Sequence, residues 1–243
     1  LAIRLEANRG VHVQQKQASP IGVFDSGVGG LTVMRAITDL LPSEEIVYLG
    51  DTARVPYGNR GADTVRRYAL NATSLLVNRG VKAIVVACNT ASAFALEAVK
   101  THFDVPIIGV IDPVAREAAK NTTSGTVGVI GTRGTIRSAA YEHALARFRP
   151  DTRTVQVACP LLVPLAEEGW TSGRVVREVA SSYLDSFVGS DVDTMILGCT
   201  HYPLLEEAID RVLDDLVDHP IELLDTASST ARVLEEQIED QNL

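Results

Sequence analysis

The sequence predicts an α/β protein in which two pseudo-symmetric domains, each with a mainly parallel sheet, face each other across a cleft. From Pro20 onward, short apolar runs alternate with longer segments whose apolar residues recur every three or four positions. Strands that alternate with amphipathic helices are typical of parallel sheets covered on both faces. Features of the first half also recur in the second half, which indicates an internal duplication.

Eight apolar and mostly β-branched runs predict the strands. They lie at residues 20–24, 45–50, 82–87, 105–111, 126–131, 152–158, 193–198 and 221–224. The clearest helical periodicity lies between them, at residues 63–77 and 173–188. Parallel strands need long crossover connections, which helices of this length provide.

A strand followed by a Gly-rich turn and the start of a helix occurs twice. PIGVFDSGVGGLTVMRA at 20–36 resembles TVGVIGTRGTIRSAAYE at 126–142. The corresponding turn positions, Asp25 and Gly131, are 106 positions apart. We therefore expect two half-molecules of similar plan.

A strand that ends at a cysteine also occurs twice. KAIVVACNT at 82–90 resembles DTMILGCTH at 193–201, and Cys88 and Cys199 are 111 positions apart. Open α/β sheets bind ligands at the carboxyl ends of their strands. A pocket between the halves would then receive one thiol from each side.

Composition and charge favour a soluble globular protein that binds a small molecule. The chain has 243 residues, 46% of them hydrophobic, and a formal net charge of −9. Nucleic-acid binding is disfavoured, because counterion release rewards clusters of Lys and Arg that the sequence lacks. Membrane association is also not expected, since no apolar run reaches the length of a membrane span.

The cysteine count favours a reduced compartment. Three cysteines form no disulfide framework, so a cytoplasmic location is expected. The third cysteine, Cys159, follows an apolar run and precedes Pro160, and we assign it to structure. Residues 1–19 lack the apolar core of a signal peptide and are interpreted as a mobile tail or an expression remnant.

Two matched thiols suit a reaction that inverts a carbon centre. A racemase removes a proton from one face of an α-carbon and returns one to the other, so it needs two acid/base groups. A thiol with a reference pKa of about 8.5 suits this role after modest tuning. Asp25 and His201 are candidate tuning groups, although the same Asp could simply cap a helix and the same His could be structural.

Other interpretations of the same motifs stay open on the residues alone. Cys88 and Cys199 could be inert buried thiols, or one of them could pair with His201 in a cysteine hydrolase. A zinc site is disfavoured by the short spacing of Cys199 and His201 and by the lack of a C-x-x-C motif. The DSGVGG turn lacks the G-K-[ST] ending of a phosphate loop.

Six segments carry a resemblance to a known family. They are PIGVFDSGVGGLTV (20–33), YLGDTARVPYG (48–58), VVACNTASA (85–93), VIGTRGTIRS (129–138), ACPLLVPLAEEG (158–169) and LGCTHYPLL (197–205). With them the chain resembles the glutamate racemases from Pro20 to about Ala231. The His after the second Cys distinguishes this family from the related aspartate racemases, which carry Glu there.

The resemblance implies roles for individual residues. Cys88 matches the thiol that deprotonates D-glutamate, assisted by Asp25, and Cys199 matches the thiol that deprotonates L-glutamate, assisted by His201. Glu167 matches an acidic residue near the second thiol. Together with Asp25 and His201, the residues implied to contact substrate are Ser26, Tyr57, Gly58, Asn89, Thr90, Thr132, Thr135 and Thr200.

The resemblance also implies the wider setting. It implies interconversion of L- and D-glutamate without a cofactor or metal, which supplies D-glutamate for bacterial peptidoglycan, and a homodimer. It implies a first domain of residues 20–112 plus 226–243 and a second of residues 113–225. Relatives usually continue past the segment matching TARVLEEQIE, so a shortened cap on the first domain is expected. Some relatives inhibit DNA gyrase, so an interaction protein is the alternative class, although nothing in this sequence supports that partner.

Overall fold

The structure, a computed structural model, describes residues 18–243. The prediction of a tail over residues 1–19 concerns mostly residues outside that range. Within residues 18–243, no helix combines the length and the apolar character needed to cross a membrane.

Eight strands form two sheets of four within the described residues. The first sheet contains β1 (Ile21–Asp25), β2 (Ile46–Gly50), β3 (Ala83–Val86) and β4 (Ile107–Gly109). The second contains β5 (Thr126–Gly131), β6 (Arg153–Ala158), β7 (Thr194–Gly198) and β8 (Glu222–Asp225). The spatial orders are β2-β1-β3-β4 and β6-β5-β7-β8, and every pairing is parallel. The two halves therefore share one topology, as the repeated segments predict.

Burial explains why the sequences of the central strands are continuous apolar runs. Each half has two central strands, β1 and β3 in the first and β5 and β7 in the second, and every residue of these four is buried. The edge strand β2 is only half-buried along its length. Strands covered by helices on both faces lose the alternation of polar and apolar residues seen in half-exposed sheets.

Helices connect the strands and cover both sheets. They are α1 (Leu31–Leu40), α2 (Ala62–Val77), α3 (Asn89–His102), α4 (Ile111–Asn121), α5 (Arg133–Arg137), α6 (Ala140–Phe148), α7 (Leu162–Glu167), α8 (Arg174–Leu184), α9 (Glu206–Leu216) and α10 (Thr226–Asp240). Short 3-10 turns lie at Tyr57–Asn59, Asp185–Phe187 and Tyr202–Leu205.

Two predicted elements differ from the observed ones by two residues or more at an end, while the others agree to within one residue. The strand predicted for residues 105–111 ends at Gly109, because Ile111 already begins α4 and is buried on its apolar face together with Val114 and Ala118. The helix predicted for residues 173–188 ends at Leu184 and continues only as a 3-10 turn. In both places one apolar segment spans two elements, so its composition alone does not mark the boundary.

The last helix packs on the first sheet. Ala227, Ala231 and Leu234 of α10 lie in the same buried cluster as Val23 of β1 and Val85 of β3. Helix α10 also contacts α1 and α4. The domain boundaries at residues 112 and 226 stay a prediction, which this packing supports.

The carboxylate of Asp193 connects the turn before β5 to the start of β7 through hydrogen bonds. Asp193 accepts hydrogen bonds from the Thr122 hydroxyl at 2.6 Å, the Thr123 backbone N–H at 2.8 Å and the Ser124 backbone N–H at 2.6 Å. Burial on its own would raise the pKa of Asp193, but the hydrogen bonds outweigh it and hold the pKa well below its usual value. The ionised carboxylate therefore stabilises the folded state.

We expect Asp193→Asn to lower the free energy of unfolding at pH 7 by about 1 kcal/mol, because the bonds are charge-assisted but partly screened by solvent. The extra free energy of unfolding of the wild type is complete above pH ~4, the pKa of Asp193 in the unfolded chain. It disappears as the pH falls through the lower pKa of Asp193 in the folded protein. Urea titrations between pH 7 and pH 2 measure it.

The matched control is Asp191→Asn, since Asp191 is exposed and forms an ion pair with the exposed Arg153. That change should stay within about 0.5 kcal/mol. Equal effects of the two substitutions would contradict the role given to Asp193.

Candidate active site

The carboxyl ends of the central strands from both sheets meet at one narrow cavity. Cys88 follows β3 in the first sheet, and Cys199 follows β7 in the second sheet. Both thiols line the cavity, so the structure brings together the two cysteines that the repeated segments single out. The other residues of the lining are Ser26, Val55, Pro56, Tyr57, Gly58, Asn89, Thr90, Thr132, Val163, Thr200 and His201.

Cys88 occupies the N-terminus of a helix. It is the N-cap residue of α3, where its sulfur accepts a hydrogen bond from the Ala91 N–H at 3.5 Å. The thiol donates to Ser26 Oγ at 3.4 Å. Burial raises the pKa of Cys88 to about 12, and the negative charge of Asp25 adds to the effect. The helix N-terminus works in the opposite direction, because its partial positive charge favours a thiolate.

Cys199 has an imidazole and a carboxylate behind it. His201 Nδ1 lies 3.7 Å from Cys199 Sγ, and His201 Nε2 lies 3.2 Å from Glu167 Oε1. The second pair is close enough for an ion pair but is not aligned as a hydrogen bond. Burial raises the pKa of Cys199 as well. Of the two adjacent glutamates in the VPLAEE segment, Glu167 is therefore the one that reaches the imidazole.

Asp25 is buried beneath the first Gly-rich turn. Its Oδ2 accepts hydrogen bonds from the Gly27 N–H at 3.0 Å and the Gly30 N–H at 3.1 Å. Its Oδ1 is also buried and has no hydrogen-bond partner among residues 18–243. Burial raises the pKa of Asp25 despite these N–H donors. One oxygen thus supports the turn, although Asp25 is not the cap of helix α1, whose N-cap residue is Gly30, and the other oxygen remains available for chemistry. Asp25 itself lies outside the cavity lining.

Three threonine hydroxyls join the two halves at one side of the cavity. Thr90 at the start of α3 lies 2.9 Å from Thr132 and 3.1 Å from Thr135, measured between hydroxyl oxygens. Thr132 is the N-cap residue of α5 and accepts from the Thr135 N–H at 3.2 Å. Thr135 does not line the cavity, so it reaches the site only through the other two threonines.

Glycines allow the halves to approach closely. A Cβ atom at Gly29 would lie 2.5 Å from Thr200 Oγ1 and 2.7 Å from His201 Nδ1, and one at Gly58 would lie 2.5 Å from Thr132 Cβ. Real Cβ atoms do not pack this tightly, so any side chain here would push the halves apart. Thr200 also accepts a hydrogen bond through its carbonyl oxygen from Thr32 Oγ1, at 3.2 Å.

One carboxylate next to the cavity, Asp51, is not among the predicted site residues. Asp51 accepts a hydrogen bond from the Tyr57 hydroxyl at 2.6 Å and pairs with Arg54. It thereby holds the loop that carries Tyr57 and Gly58 against the site. The sequence could have indicated Asp51, because it directly follows a predicted strand. The carboxyl end of a parallel strand is where functional carboxylates are expected.

Known proteins resemble this chain in sequence and in overall fold. The profile of the family described as Asp/Glu/Hydantoin racemase matches residues 21–234. The chain belongs to this racemase family. It is 54% identical to a glutamate racemase of Geobacter metallireducens over 216 residues, which cover 89% of this chain and 78% of that protein.

Solved structures of racemases agree with this membership. The glutamate racemase isoform RacE1 of Bacillus anthracis superposes with a TM-score of 0.88 at 41% identity, covering 93% of this chain and 83% of that one. The glutamate racemase of Francisella tularensis in complex with D-glutamate superposes with a TM-score of 0.87 at 37% identity and the same coverage.

The raised thiol pKa values of this racemase can be tested directly. With the pKa of Cys88 raised from the ordinary value of about 8.5 to about 12, the thiolate fraction at pH 8 falls by more than about a thousandfold. Since the thiolate is the nucleophile, we expect iodoacetamide to alkylate Cys88 at least ~10³ times more slowly in the folded, substrate-free protein than in urea. Mass spectrometry of the peptide that contains Cys88 gives both rates.

An exposed cysteine serves as the control. Val188 is 52% exposed, so the thiol of Val188→Cys should react at similar rates with and without urea. Rapid alkylation of Cys88 at pH 8 in the folded protein would show that its thiol is already ionised before substrate binds.

Proposed function

We propose that this racemase interconverts L- and D-glutamate by a two-base mechanism, with Cys88 and Cys199 acting on opposite faces of the α-carbon. The observation that carries the proposal is that one thiol from each sheet lines the same cavity. The curated relatives named glutamate racemase, at 46–54% identity, support glutamate as the substrate. So does the bound D-glutamate in the Francisella tularensis enzyme.

In the proposed reaction from D-glutamate, a Cys88 thiolate removes the α-proton and a Cys199 thiol donates a proton to the opposite face. The reaction leaves Cys88 as the thiol and Cys199 as the thiolate, and the reverse direction uses the same groups with exchanged roles. The two titrations are therefore coupled. The assignment of each thiol to an enantiomer rests on the resemblance to the family, and no cofactor takes part.

Burial raises the pKa of both thiols, which favours the protonated form of each at pH 7 before substrate binds. One thiol must therefore lose a proton as substrate binds. His201 beside Cys199 and the ionisable Asp25 near Cys88 are the proposed acceptors. The α-ammonium group of glutamate would also stabilise a neighbouring thiolate, since an opposite charge within a few ångströms lowers a thiol pKa.

Charge that develops on the substrate α-carboxylate needs hydrogen-bond donors. Asn89 and Thr90 lie in the first turn of α3, where the backbone N–H groups have no intrahelical partner and favour an anion. Thr200 follows Cys199 and lines the opposite wall. Donors placed before the reaction stabilise a transition state more than flexible solvent does, and each is worth roughly 3–4 kcal/mol in comparable oxyanion sites.

The biological role we propose is the supply of D-glutamate for peptidoglycan in the bacterial cytoplasm. The relatives that support it are bacterial glutamate racemases. The test is expression of this chain in a bacterium that requires external D-glutamate. Growth without D-glutamate supports the role, while continued dependence despite soluble, active protein contradicts it.

The reaction itself is tested by incubating the protein with L-glutamate in D₂O. We expect optical rotation to decay to zero and deuterium to enter the α-carbon of the D-glutamate formed, because the proton returned comes from a solvent-exchanged thiol. Persistent optical activity without deuterium uptake would refute the racemase function.

Single substitutions test the two-base mechanism. Cys88→Ser and Cys199→Ser should each reduce racemisation by about 10³-fold or more, because a hydroxyl is a much weaker acid than a thiol and general acid–base catalysis is worth up to about 10⁴-fold. Any residual deuterium exchange should be confined to D-glutamate in Cys199→Ser and to L-glutamate in Cys88→Ser. Polarimetry and proton NMR measure both quantities.

The matched control is Cys159→Ser. Cys159 is fully buried in the core of the second half and does not line the cavity. Its substitution should lower the melting temperature but leave kcat within about twofold, which separates stability from catalysis. Full turnover by either Cys88→Ser or Cys199→Ser would rule out the assigned roles.

A further inference from the structure

A buried tyrosine connects the segments that carry the two thiols. Tyr141, in α6 of the second half, is fully buried, and its hydroxyl donates a hydrogen bond to Asn89 Oδ1 at 2.6 Å. Asn89 directly follows Cys88 in the first half. On its other side, the Tyr141 ring packs against Gly198, the residue before Cys199, where a Cβ atom would lie 3.0 Å from Tyr141 Cε2. One side chain thus contacts both strand ends.

The hydrogen bond fixes the orientation of the Asn89 amide. An amide is planar, so a donor that holds Oδ1 also sets the direction of Nδ2. Nδ2 is buried and has no hydrogen-bond partner within residues 18–243, although Asn89 lines the cavity. A buried amide nitrogen without a partner costs free energy unless a ligand accepts its hydrogen bonds. The reverse orientation would present Oδ1 to the cavity and repel a carboxylate.

The tyrosine hydroxyl keeps its proton throughout the working range. Burial raises the pKa of Tyr141 well above its usual value, and a negative charge on Cys199 raises it further. The hydroxyl therefore remains a donor even when Cys199 is a thiolate. Asn89 Oδ1 keeps its partner in both half-reactions, and Nδ2 keeps its direction.

We propose that Tyr141 is a positioning residue, which holds the Asn89 amide so that Nδ2 donates to a carboxylate of the bound substrate. This inference rests on the proposed glutamate racemase function. Tyr141 itself does not line the cavity, so it acts through Asn89. It also makes the donor beside Cys88 depend on a helix from the half that carries Cys199.

A double-mutant cycle with Tyr141→Phe and Asn89→Ala tests the proposal. Tyr141→Phe keeps the ring on Gly198 and removes only the hydroxyl, so the amide can rotate. We expect kcat/KM to fall about tenfold, mostly in kcat, as for loss of one hydrogen bond that acts in the transition state. Asn89→Ala removes the donor itself and should cost about 10²–10³-fold.

The decisive comparison is made in the Asn89→Ala background. If Tyr141 acts through Asn89, adding Tyr141→Phe there should change kcat/KM by less than about twofold. A purely structural role predicts the same tenfold loss in both backgrounds and would overturn the proposal. This comparison remains valid even if Tyr141→Phe alone folds poorly. In the double variant the Asn89 amide is absent, so no amide oxygen loses the hydrogen bond that the Tyr141 hydroxyl donates.

Tyr183→Phe is the control for loss of a tyrosine hydroxyl. The Tyr183 hydroxyl accepts from the Leu161 N–H at 3.3 Å and lies outside the cavity lining, so kinetic constants should stay within about twofold. Melting temperatures of all variants establish that they are folded. Inactive wild-type protein would refute the racemase function itself, whereas an active wild type whose kcat/KM is unchanged by Tyr141→Phe would refute only the role of Tyr141.

Discussion

The close approach of the two strand-end surfaces determines most properties of the site. Gly29 and Gly58 lie where a side chain would collide with Thr200, His201 or Thr132 in the other half. The contact excludes water from both thiols, and exclusion of water is what raises their pKa values. Burial thus keeps the cysteines protonated in the empty site and strengthens every later interaction with substrate charge.

The neighbours of the two thiols differ although the halves share one topology. Cys88 is adjacent to a hydroxyl and a helix N-terminus, while Cys199 is adjacent to an imidazole that reaches the carboxylate of Glu167. The two halves therefore place the thiols at equivalent strand ends, while the side chains around each thiol differ. This division agrees with the general observation that function is determined by sites and not by folds.

The sequence predicted most strands well because they are separate apolar runs, and it predicted the thiol pair because both cysteines follow such runs. It failed at the end of β4, where the apolar residues of strand and helix are continuous through Ile111. The contact of Tyr141 with Asn89 was also out of reach, since the two residues are 52 positions apart and belong to different halves. Contacts of that kind depend on how the two sheets pack, which no local pattern records.

The unequal surroundings of the thiols have a limited kinetic effect. Enantiomers have equal free energies in water, so the equilibrium constant of their interconversion is one. Under the proposed function, kcat/KM must then be identical in the two directions, however different Ser26 and His201 are. The asymmetry can still make the enzyme bind one enantiomer more tightly and turn it over more slowly. Under the proposed function it can therefore change how far the active site is saturated at a given glutamate concentration. It leaves the final ratio of the two enantiomers unchanged.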